Sequence, residues 1–131
     1  MKMCVCVLSL ILCLTAMPTF AEQAVDGVKP LICASVQAVN CEPGEDCERG
    51  LPESIGAPQF LRIDFAKKEI VGPLRTTTIR STETSDAQII LQGVELGMGW
   101  TIVLDRETGK MTMTLTGRGE GFVVFGACTS P

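Results

Sequence analysis

The C-terminal third of the chain holds two runs in which apolar residues recur at every second position. Trp100, Ile102 and Leu104 alternate with Thr101 and Val103, while Met111, Met113 and Leu115 alternate with Thr112, Thr114 and Thr116. A period of two residues is the signature of a strand that turns one face to a core. Between the two runs, Asp105-Arg106-Glu107-Thr108-Gly109 has the chemistry of a hairpin loop. The aspartate can accept backbone N–H groups, and the glycine can take the left-handed conformation that closes the turn. Phe122 to Cys128 is apolar on both faces, which predicts a strand covered from both sides.

The same period recurs upstream. Leu31 to Val39 places Ile32, Ala34, Val36 and Ala38 on one face and Cys33, Ser35 and Gln37 on the other. Gln59 to Phe65 groups Leu61, Ile63 and Phe65, with Arg62 and Asp64 alternating outward, and Ala66-Lys67-Lys68 turns the chain into a second strand at Glu69 to Val71. Thr76 to Thr82 is rich in β-branched residues, Glu83 to Asp86 turns, and Ala87 to Gln92 returns with Ile89 and Leu91 on one face. Gly93 to Gly99 reads as a glycine-punctuated connection, Asn40 to Gly50 as a loop, and Leu51 to Ile55 as one helical turn stopped by Gly56-Ala57-Pro58. About eight strands joined by short turns, with no long helix, predict an all-β chain. It is expected to form a small antiparallel β-barrel or meander, lipocalin-like in architecture, curled so that no long edge stays open.

The N-terminus breaks this pattern. Met1-Lys2-Met3 is a short basic start, Cys4 to Leu14 is apolar except for Ser9, and Thr19-Phe20-Ala21 offers small residues at a cleavage site. These are the parts of an export signal cleaved after Ala21. The apolar run falls short of the roughly twenty residues needed to cross a bilayer, and no later stretch reaches that length. A lipoprotein reading of Leu10-Ile11-Leu12-Cys13 is disfavoured, because Leu12 stands where a small residue is wanted. The chain thus divides into a signal peptide, 1–21, and a single β-barrel domain, 22–131, in which Glu22 to Lys29 is expected to be a flexible arm. The expected location is periplasmic or secreted.

Removing the signal changes the composition. Of 131 residues, 110 remain, with 10 basic against 15 acidic, a net charge of −5, and four of the seven cysteines. A chain this acidic is not expected to bind nucleic acid. Cys33, Cys41, Cys47 and Cys128 form an even set in an exported chain, which reads as two disulfides. Of the three possible pairings, Cys41 with Cys47 brackets the Pro43-Gly44 turn and Cys33 with Cys128 ties the first strand to the last, so this set is favoured. No C-x-x-C spacing supports zinc.

The chain has no histidine, which excludes a Ser-His-Asp triad, a Cys-His pair and any His-ligated metal site. Asp64, Asp105, Glu107 and Glu120 are the carboxylates available for acid–base work, but no spacing pairs them. The serines show no G-x-S-x-G motif, and Gly93 to Gly99 lacks the Lys-Ser/Thr ending of a phosphate loop. The densest polar feature is Glu42, Glu45, Asp46 and Glu48 around the Cys41–Cys47 bracket. Such a loop can serve as a solvated surface, as a docking finger for a basic partner, or, with oxygen ligands, as a calcium loop. A barrel cavity, if open, would be walled by Phe65, Leu91, Trp100 and Met113; a filled interior is the stronger expectation for so short a chain.

The run from Gly99-Trp100 through Asp105-Arg106-Glu107-Thr108-Gly109-Lys110-Met111 to Phe122-Val123-Val124-Phe125-Gly126-Ala127-Cys128, together with Cys33, Cys41, Cys47 and Arg62-Ile63-Asp64-Phe65, resembles small exported bacterial proteins of uncharacterised function. The likeness implies a disulfide-tied antiparallel β domain and no particular activity. In size, compartment and strand content the chain is also similar to periplasmic lysozyme inhibitors, although its lack of tyrosine departs from their common pattern. The expected function is that of an exported, monomeric, non-enzymatic binding protein without a cofactor. Its partner would be a protein, such as a basic hydrolase that it inhibits, or a small apolar ligand carried inside the barrel.

Overall fold

A computed structural model of the protein describes residues 25–131; the export signal expected over 1–21, with Cys4, Cys6 and Cys13, and residues 22–24 lie outside them. The described chain is one antiparallel sheet of ten strands: β1 (Leu31–Cys41), β2 (Glu48–Gly50), β3 (Phe60–Asp64), β4 (Glu69–Val71), β5 (Thr76–Thr78), β6 (Ser81–Thr84), β7 (Gln88–Glu95), β8 (Met98–Asp105), β9 (Lys110–Thr116) and β10 (Gly121–Thr129). The strands run β5-β4-β3-β1-β10-β9-β8-β7-β6 across the sheet, with β2 hydrogen-bonded to β1 off this path. A single 3-10 turn, Pro52–Ile55, stands where one helical turn is expected, and Gly56 closes it at φ 72°.

The two ends of that strand order are neighbours in the chain. Only Ile79 and Arg80 separate β5 from β6, and they stitch both ends of the sheet: Ile79 N donates to Lys68 O at 2.8 Å, and Arg80 N donates to Gln92 O at 2.8 Å. Curling of the sheet brings its ends together, which removes most of the open edge that a flat ten-stranded sheet would expose. The run expected as one strand from Thr76 to Thr82 is therefore two, because it changes partner from β4 to β7 at a bend.

The core fills the concave side. Leu31, Ile63, Ile89, Leu91, Ile102, Leu104, Met111 and Val124 are each less than 2 % exposed. Trp100 is buried on the same face and sits over Gly93, where a Cβ would overlap the indole and lie 2.8 Å from Thr78 O. Gly93 is thus fixed by close packing. Gly126 is fixed similarly, since a Cβ there would collide with Ala34 O beside the bulge in β1 between Ser35 and Gln37.

Several local expectations are corrected by the sheet. Gly93 to Gly99 is no loose connection: β7 continues to Glu95, β8 begins at Met98, and Leu96 (φ 49°) and Gly97 (φ 80°) form the two-residue turn between them. Two positive φ angles in succession match the right-handed twist of paired strands. β10 is not covered on both sides: Val124 and Cys128 face the core, while Phe125 is 40 % exposed and Ala127 is also exposed, because the described residues place no second layer on the outer face. On β1 the inward face begins with Leu31, Cys33 and Ser35, and the bulge then turns Ala38 inward. Asp64 does not point outward but is 7 % exposed; its Oδ1 accepts Lys67 N at 3.1 Å and so closes the turn into β4.

The expected arm is in part packed structure. Val25 is 1 % exposed, donates its N–H to Arg106 O at 3.0 Å, and accepts Arg106 Nε at 3.1 Å through its own carbonyl. Asp26 Oδ1 accepts Val28 N and Lys29 N at 2.8 and 2.9 Å, and these bonds hold its carboxyl below the ordinary 3.8. The Asp105 to Gly109 loop forms as expected. Asp105 Oδ1 accepts Glu107 N at 3.0 Å and Thr108 N at 2.8 Å, Gly109 N donates to Asp105 O at 2.9 Å, and Gly109 has φ 70°. The bonds from Thr108, ahead of that from Glu107, lower the Asp105 carboxyl.

Candidate functional site

Cys41–Cys47 closes a short hairpin at the end of β1. Pro43-Gly44 makes its tip, Gly44 has φ 80°, and Glu45 N donates to Glu42 O at 3.3 Å. The chain returns as β2, with Glu48 opposite Asn40 and Gly50 opposite Ala38. The hairpin is thus anchored twice, by the disulfide and by a short ladder. Glu42, Glu45, Asp46 and Glu48 are all exposed, and none forms an ion pair within the described residues. The nearest side-chain partner is Asn40, whose Nδ2 donates to Glu42 Oε1 at 3.4 Å. Three carboxylates inside the disulfide-closed loop and Glu48 just after it make a local negative field that solvent screens over about 10 Å at moderate salt.

The residues considered as cavity walls form part of the core instead. Leu91, Trp100 and Met113 are buried, at 0, 5 and 6 % exposure, and Phe65 is half-buried against the core cluster. Register explains the grouping: Leu91 faces Ile102, Ile102 faces Met113, and Trp100 faces Leu115 across adjacent strands. Side chains from three neighbouring strands therefore occupy the volume that a carrier would leave for its ligand.

Two of the four carboxylates considered for catalysis are engaged in local structure. Asp64 and Asp105 each cap a turn, and Glu107 and Glu120 are exposed in separate loops. Among the described residues no group of three or more Cys, Asp or Glu side chains is placed to hold a metal ion, and no helix is long and apolar enough to cross a membrane.

A second surface feature escaped the sequence reading. A depression of about 390 Å³ opens where outward side chains of β6, β7, β8 and β9 meet, and it reaches down to Gly93 and the core residue Trp100. Ser81, Gln92, Thr101 and Thr114 form one continuous row across these strands, each residue directly opposite the next. Gln92 Nε2 donates to Thr101 Oγ1 at 3.4 Å within the row. Beside it, Gly99 lies between Val94 and Thr116 and leaves the floor bare. No motif announces this row, because its members are spread over the chain and only strand register brings them together.

Comparison with family models, with curated proteins and with solved structures returned no match.

Proposed function

We propose that the protein is an exported, non-catalytic binding module that docks a basic protein surface through the acidic hairpin. The observation that carries this reading is the Cys41–Cys47 loop: covalently closed, anchored on β1 by β2, and presenting Glu42, Glu45, Asp46 and Glu48 to solvent without internal ion partners. A loop ordered before binding loses less conformational freedom on docking than a free segment does. Its unpaired carboxylates speed encounter with a cationic surface and make the complex sensitive to salt. An inhibitor of a basic hydrolase such as lysozyme fits this description. The alternative of a lipocalin-like carrier draws less support, since Leu91, Trp100 and Met113 are packed as core.

Binding to a basic hydrolase, lysozyme being the first probe, and to the same enzyme with its lysines acetylated tests the reading by surface plasmon resonance at low and high salt. Saturable binding should weaken steeply with salt, fail with acetylated enzyme, and fail when Glu42, Glu45, Asp46 and Glu48 are all replaced by Lys. Undiminished binding by that charge-reversed protein would defeat the proposal.

A further inference from the structure

The outer-face depression is a second candidate site, independent of the acidic hairpin. We infer that it binds a short, hydroxyl-rich chain bearing a carboxylate, of the class of an acidic oligosaccharide, laid along the row Ser81–Gln92–Thr101–Thr114 with its charge at Arg80.

Neighbouring strands lie ~4.8 Å apart, so three intervals make a row about 14 Å long, enough for a short oligosaccharide. Every member of the row is neutral, and each both donates and accepts hydrogen bonds. That dual capacity matches ligand hydroxyls, which also do both; phosphate would call for several cationic donors. Thr116 adds another hydroxyl at the side. Arg80 is the one charged residue lining the depression; it is exposed and forms no ion pair within the described residues. Among the described residues no carboxylate lines the site, although acids outnumber bases along the chain. An anionic group is therefore accepted at Arg80 and disfavoured over most other surfaces. An extended peptide is a poorer fit, because Gln92, Thr101 and Thr114 sit on strands paired on both sides, which leaves only the four-residue edge strand β6 for backbone pairing.

The glycines supply both the site and its test. Gly93 cannot carry a side chain without striking Trp100, so it belongs to the core. Gly99 is different: a Cβ there meets only Thr116 Oγ1, at 3.8 Å. Gly99→Val should therefore fold while filling the floor.

The experiment is an NMR titration of the wild-type protein with a linear uronic acid trisaccharide and with its fully methyl-esterified form. Amide shifts of the acid form should saturate and stay confined to residues around Ser81, Gln92, Gly99, Thr101 and Thr114. The ester should bind roughly tenfold more weakly, Arg80→Gln should lose a similar factor for the acid form alone, and Gly99→Val should lose at least about tenfold for both. The protein with its acidic hairpin charge-reversed should bind the trisaccharide as wild type does, which separates this site from the hairpin. Unsaturable shifts, shifts centred elsewhere, equal binding of acid and ester, or unchanged binding by a folded Gly99→Val protein would each overturn the inference.

Discussion

Two disulfides leave the same strand, β1, and do opposite things. Cys33 and Cys128 are direct cross-strand partners at the centre of the sheet, 0 and 8 % exposed, and close a separation of 95 residues. Cys41 and Cys47, only 6 residues apart, close a loop at the strand's end, with Cys41 half-buried and Cys47 exposed. The bond chemistry is shared; loop length and burial decide its role. The long staple restricts the unfolded chain and lies inside the core. The short one shapes a surface hairpin and constrains the unfolded chain less.

Replacing each pair by alanine sharpens the contrast most. In the chain-entropy model, loss of Cys33–Cys128 costs about 4.7 kcal/mol and loss of Cys41–Cys47 about 2.3 kcal/mol. Urea unfolding should show the first variant near the limit of folding and the second with its midpoint only moderately lowered. A reversed order would break the comparison. Two glycines of the β7–β8 hairpin, Gly93 and Gly99, extend it. Gly93→Ala drives a methyl into Trp100 and should cost about 1–3 kcal/mol by overpacking, whereas Gly99→Ala should change stability by less than about 0.5 kcal/mol. Equal effects in thermal melts would show that Gly93 is not held by the indole.

The smallest effect separates carboxylates that build turns from those that do not. The folded protein holds Asp26 and Asp105 below their ordinary 3.8, through backbone N–H bonds first of all. A depressed folded-state pKa gives stability that is complete above 3.8 and lost as pH falls through the folded value. The urea midpoint should therefore decline on acidification below about 3.8. Asp105→Asn should flatten part of that decline, while charge reversal of Glu42, Glu45, Asp46 and Glu48 should leave stability at neutral pH within about 0.5 kcal/mol. An unchanged acid limb in Asp105→Asn would remove that carboxylate from the account.

The alternating runs at Trp100–Leu104 and Met111–Leu115 were legible because a strand with one buried face writes its period directly into the chain. The Asp105–Gly109 loop was legible for a similar reason, as its aspartate and glycine act on backbone a few residues away. The acidic hairpin was visible as a cluster, since Cys41 and Cys47 are near in sequence.

Other features depended on partners far along the chain. The apolar pattern of β1 does not tell which face turns inward, because Cys33 must meet Cys128 and the bulge shifts the phase before Ala38. Phe122 to Cys128 looks doubly covered, yet a single curled sheet has only one concave side to fill. Thr76 to Thr82 reads as one strand until closure of the sheet assigns its two halves to different neighbours. The row Ser81–Gln92–Thr101–Thr114 had no sequence signal, being a product of register alone. By itself, then, the sequence determined the strand content, the local turns and the acidic hairpin, all set by interactions within a few residues. Tertiary structure decided the inward faces, the meeting of the sheet's ends and the outer row, because these rest on pairings between residues that only the curled sheet makes neighbours.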